Sequence, residues 1–116
     1  MATYPMLTTL SACAPALPAL LALNNEYEHG LPPVEAARFR WMVEHAFFAA
    51  AINENAAFLL AFAQSAAYYS PNFLWFKQRF PKFVYVDRLA ASALARGRGH
   101  AIALYDALFS VARGGA

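Results

Sequence analysis

The 116-residue chain predicts a single mixed α/β (α+β) domain over residues 1–116. Two observations carry this. A strand-like run at 83–91 is followed by a glycine-bearing turn at 96–99 and a helix-like run at 100–112. Upstream, helical stripes at 17–23 and 34–44 precede two short apolar runs, 47–52 and 56–64, split by Asn53-Glu54-Asn55. Apolar residues make up 60% of the chain and charged residues 14%, which suits a packed core and not a disordered segment.

Taken in order, Met6 to Leu10 form the body of a short first strand. Leu17, Leu20, Leu21 and Leu23 then make a helical stripe ending near Asn24-Asn25. The stretch Ala12-Cys13-Ala14-Pro15 offers that helix no polar cap. After the loop His29-Gly30-Leu31-Pro32-Pro33, Pro33 suits a first helical turn and Glu35 suits the positive end of the dipole. That second helix runs to about Glu44 and is expected to bury Val34, Ala37, Trp41 and Met42. The runs at 47–52 and 56–64 are rich in alanine, the best helix former. Read as strands, the second places Phe58, Leu60 and Phe62 on one face and Leu59, Ala61 and Ala63 on the other. Ser70-Pro71 opens a short helix as N-cap and first position, and Pro81 stops it. In the last helix Ala101, Leu104, Tyr105, Leu108 and Ala112 share a face, and Gly114-Gly115 ends it.

The segment Arg96-Gly97-Arg98-Gly99-His100-Ala101 carries the chemistry. Strand, glycine turn and helix start together aim bare backbone N–H groups at an anion, and the helix dipole adds to their pull. Arg96 and Arg98 add charge that pairs with phosphate. A plain turn accounts for the glycines but not for the arginines alternating with them. A nucleoside-triphosphate loop needs a Gly-Lys-Ser/Thr ending, and no lysine follows Lys82. A dinucleotide loop needs a third glycine where Ile102 stands. The spacing that fits is Arg/Gln-x-x-Gly-x-Gly/Ala, met by Arg96, Gly99 and Ala101.

This motif, with Tyr85-Val86-Asp87-Arg88-Leu89 before it and Leu104-Tyr105-Asp106-Ala107-Leu108-Phe109 after it, resembles the acetyl-CoA loop of the GNAT (GCN5-related) N-acetyltransferases. Residues 20–26, with Asn24-Asn25, resemble the first helix of bacterial members. The resemblance, more than propensity, makes 47–52 and 56–64 strands. It implies a mixed, mainly antiparallel sheet flanked by helices, with the C-terminal strands of the family missing. It implies acetyl transfer from acetyl-CoA to a primary amine, with no metal. It places the pyrophosphate on Arg96, Gly97, Arg98, Gly99, His100 and Ala101, and the thioester beside backbone groups of Leu89, Ala90 and Ala91. His100 stands where the family more often has an aliphatic or small residue. Asp87 is a candidate base, with pairing to Arg88 as its structural reading. Tyr68 and Tyr69 are candidates to line the amine pocket. The later helix whose tyrosine serves the family as general acid has no counterpart in this sequence. The second expectation is therefore a non-catalytic acetyl-CoA-binding or self-associating module, forming a homodimer through an open sheet edge.

Charge distribution agrees with an anionic ligand late in the chain. Residues 1–25 carry no charged side chain, and from Lys77 onward seven basic residues face only Asp87 and Asp106. Cys13 is the only cysteine, which excludes an intrachain disulfide and predicts a cytoplasmic setting. Leu10-Ser11-Ala12-Cys13 imitates a lipoprotein cleavage box, but no basic residue precedes it. Pro15 and Pro18 interrupt the one stretch long enough to suggest a membrane span, so no membrane partner is expected. His29, His45 and Cys13 lack metal-ligand spacing. The interleaved rings and bases of 75–83 read as a helix with one packed and one solvated face, so no nucleic-acid partner is expected.

Overall fold

A computed structural model describes residues 7–26, 34–53, 56–92, 97 and 99–113. The described chain is mixed α+β, with four helices and one open, antiparallel sheet of four strands in the order β1-β2-β3-β4. The strands are β1 (Leu7–Thr9), β2 (Phe48–Ile52), β3 (Ala57–Ala63) and β4 (Val84–Ala91). The helices are α1 (Leu17–Asn24), α2 (Ala36–His45), α3 (Pro71–Arg79) and α4 (His100–Arg113).

Period-two alternation in β3 explains why an alanine-rich segment is a strand here. Phe58, Leu60 and Phe62 enter one core layer with Leu20, Leu23, Phe39, Met42 and Phe73. Leu59 and Ala61 enter the opposite layer with Ile52, Leu104 and Leu108. A helix over the same residues would scatter these side chains around its axis. Both faces of β2 and β3 are covered, so both read as near-continuous apolar runs. Asn53 follows β2 at φ +49°, the left-handed geometry that asparagine tolerates.

Helices α1, α2 and α3 cover the first layer and α4 covers the second. The stripe of α1 is as expected, with Leu17, Leu20 and Leu23 buried. Its N-cap, Ala16, makes no side-chain cap hydrogen bond. Of the face expected for α2, Met42 is buried and Val34 and Trp41 pack half-buried against the core, while Ala37 is exposed and Phe39 and Val43 complete the buried face. Val34 lies before the first helical residue, so helical spacing counted from it does not lead to Phe39 and Val43. Trp41 sits on the flank, under the Arg38 guanidinium at 4.4 Å and stacked on His45 at 4.3 Å. In α3 the Ser70 hydroxyl accepts from the Phe73 amide at 3.2 Å, the cap expected, with Pro71 first in the helix. Pro33, Glu54, Asn55, Gly114 and Gly115 lie outside the described residues. Among the described residues, no helix is long and apolar enough to cross a membrane.

If β3 is buried on both faces, Phe58→Ala and Leu59→Ala each lower stability, by about 3–5 and about 2–5 kcal/mol respectively, read from urea unfolding midpoints. A change within about 0.5 kcal/mol for either one marks its face as solvent-exposed.

Candidate functional site

Strand β4 is the edge of the sheet and joins two polar features. Its register against β3 is broken once: Leu60 pairs with Arg88 and Ala61 with Val86, which leaves Asp87 as an extra residue. In an unbroken strand Asp87 and Arg88 would point to opposite faces. The bulge turns both side chains into the layer beneath α1 and α3. Arg88 Nε donates to Asp87 Oδ2 at 2.7 Å, and each side chain is only 6% exposed. Arg88 Nη1 donates to Asn24 Oδ1 at 3.0 Å, and Tyr68 Oη donates to Asp87 Oδ1 at 2.6 Å. The network continues from Asn24 Nδ2 to Asn25 Oδ1 at 2.9 Å. Asn25 in turn exchanges hydrogen bonds with the backbone of Val34 at 3.1 and 3.0 Å.

Tyr68 stacks on Phe62 at 4.3 Å and meets Phe73 edge-on at 5.4 Å. Burial, then its hydrogen bond to Asp87 and the Asp87 charge, push its phenol up to about 12, against opposing pulls from Arg88 and the Ser70 hydroxyl. Tyr68 is therefore a neutral donor over the physiological range and no base. Tyr69 does not join this group; it is 69% exposed.

The second feature follows the C-terminal end of β4. Gly97 and Gly99 hold φ of +80° and +78°, values that L side chains rarely adopt. A Cβ at either position would meet no protein atom within 4 Å, so the turn is open on that side. Gly99 caps α4 through its carbonyl, which accepts from the Ala103 amide at 3.0 Å. Among the described residues, no backbone acceptor takes the amide hydrogens of Gly97, Gly99, His100 or Ala101. His100 is buried, and its Nδ1 is the one fully buried side-chain nitrogen or oxygen among the described residues without a hydrogen-bond partner. Arg96 and Arg98 lie outside the described residues. Leu104 and Leu108 fix α4 on the sheet and thereby hold its N-terminus at the end of β4.

Between the two features, strand alternation decides which backbone groups are free. The amide of Ser92 donates to Ala56 at 2.8 Å, so Ala90, opposite Phe58, faces the β3 ladder. Leu89 and Ala91 turn their N–H and C=O groups to the open edge. Of the three residues implied for the thioester, these two carry available groups and Ala90 is committed to the sheet. Asp87 and Ala91 are four residues apart, about 13 Å along an extended strand.

Comparison of the chain with protein-family models, with curated proteins and with solved structures finds no match. The geometry of the described residues therefore carries the functional argument. Sequence reasoning placed the Asp87–Arg88 pair but missed Asn24. The one available signal was an asparagine inside a leucine stripe, at a position that an amphipathic helix buries. Among the described residues, no group of three or more metal-ligating side chains is assembled.

Two outcomes are expected. Asp87→Ala strands the Arg88 guanidinium without its counter-charge and lowers stability by about 3–5 kcal/mol in denaturant unfolding. The raised Tyr68 pKa means that the unfolded chain loses this proton near about 10, before the folded chain does. Its contribution to stability is complete below pH ~10 and declines as pH rises to about 12, and Tyr68→Phe removes that decline. Thermal unfolding across this pH range reads the effect.

Proposed function

We propose that this chain binds acetyl-CoA as the cofactor half of a GNAT-type N-acetyltransferase acting on a primary amine in the cytoplasm. One observation carries the reading. The amides of Gly97, Gly99, His100 and Ala101 stand at the start of a 14-residue helix without a backbone acceptor among the described residues. Such a terminus offers donors and a positive dipole end to a pyrophosphate. The edge-facing groups of Leu89 and Ala91 extend the track along β4, where an amide donor to the developing oxyanion is worth about 3–4 kcal/mol in the transition state.

In this reaction an alkylammonium, with a pKa near about 10, first gives up a proton to solvent or a base. Its nitrogen then forms a bond to the acetyl carbonyl carbon as the carbon–sulfur bond breaks. The departing thiolate takes the second nitrogen proton. The exposed free thiol of Cys13 fits a reducing compartment.

A second reading, a self-associating module without catalysis, is favoured by the unpaired edge of β4 and by the exposed Ile102, Phe109 and Val111 of α4.

Calorimetric titration is expected to give saturable acetyl-CoA binding to the parent chain. Gly99→Asp, which strains the turn and places a carboxylate in the cradle, is expected to weaken it about tenfold or more. Equal binding by both, or none by the parent, removes the acetyl-CoA reading. Concentration-dependent sedimentation in the absence of binding leaves the second reading standing.

A further inference from the structure

A cavity of about 320 Å³ opens where α3 begins, lined by Tyr68, Ser70, Asn72, Tyr85, Asp87 and Arg88, with Pro71. That volume is at the bottom of the usual range for ligand pockets, about 300–1,000 Å³, so the cavity suits one small molecule and not a peptide. Among the described residues that line it, Asp87 and Arg88 are the two formal charges, of opposite sign and side by side. Neither is exhausted. An ionised carboxylate has about four acceptor sites, and Asp87 uses one on each oxygen. A guanidinium has about five N–H donors, and Arg88 gives one from Nε and one from Nη1. No described residue accepts from Nη2, and Nη2 is not among the fully buried unpartnered atoms, so it keeps some exposure in a residue that lines the cavity. Asn24 and Tyr68 hold the pair in place, so it is oriented before any ligand arrives.

The geometry points to a small free α-amino acid as the occupant, its ammonium set against Asp87 and its carboxylate against Arg88. A bare amine meets attraction from Asp87 and repulsion from Arg88 at similar range; a bare carboxylate meets the reverse. A zwitterion carrying both groups on one carbon satisfies both. The first turn of α3 at Pro71 and Asn72 lines the same cavity, and its dipole favours the carboxylate on that side. Tyr85 supplies an apolar wall for a short side chain. As a binding site this stands on its own; as the site of the acetyl acceptor it rests on the acetyltransferase reading.

The test is calorimetric titration of the full chain with L-alanine, L-alaninamide and propionate. L-alanine is expected to bind saturably. The amide, which lacks the carboxylate, and propionate, which lacks the ammonium, each bind about tenfold more weakly or worse, since each forfeits one charge-assisted contact. Asn72→Trp changes an exposed residue at the mouth of the cavity and leaves the buried network intact. With an unchanged circular dichroism spectrum, it is expected to lower L-alanine affinity about tenfold and leave acetyl-CoA binding as in the parent. Parity among the three probes, no saturable L-alanine binding at millimolar concentration, or unaltered binding by Asn72→Trp overturns the inference. L-alanine binding without acetyl-CoA binding upholds this site while removing the acetyltransferase reading.

Discussion

The extra residue at position 87 is the constraint on which the polar half of this molecule depends. A strand of period two separates neighbouring side chains onto opposite faces. In a sheet covered on both sides, that would drive either an aspartate or an arginine into an apolar layer alone. By opposing two residues to Leu60, β4 keeps Asp87 and Arg88 on one face and within 2.7 Å of each other. The pair then recruits Asn24 from the end of α1 and Tyr68 from the segment before α3. Through Asn25 the network reaches the start of α2 at Val34. Buried ion pairs contribute little net stability compared with apolar packing, because desolvation offsets their attraction. What this one contributes is arrangement: it fixes how three separate pieces of chain meet on one strand.

The other face of the sheet is built on a different principle. Its core is mainly apolar, with Leu104 and Leu108 of α4 set against Ile52 and Leu59, and buried His100 continues their stripe at the helix start. Leu104 and Leu108 hold α4 on this face of the sheet. Before α4, Gly97 and Gly99 stand at positive φ with open space where a Cβ would lie. The result is a strand with a buried charge pair near its middle, outward-facing backbone groups beyond it, and a helix terminus at its end.

Much of this was legible before any coordinates. The order of elements followed from proline and glycine punctuation, from the Ser70-Pro71 start and from helical spacing, because these are local effects that do not depend on distant partners. The facing of β3 was legible for the same reason: period two leaves Phe58, Leu60 and Phe62 no choice but a common side. The strand identity of 47–64 was less so, since alanine favours helix and only burial between two layers makes these residues strands. In α2, Met42 and Trp41 were legible from helical spacing, but Phe39 and Val43 were not, because Val34 lies before the helix and does not share its rotation.

The sequence by itself determined the local geometry: where chains turn, which helix begins on a serine cap, and that a glycine-bearing segment precedes a long helix. Only the tertiary structure decided the bulge, the union of Asn24 with Arg88 across 64 positions, and the cavity those residues border. The reason is physical. Turn and cap preferences are set by a few neighbouring dihedral angles, whereas a bulge exists only relative to a partner strand. A buried charge likewise finds its partners only when distant segments have packed around it.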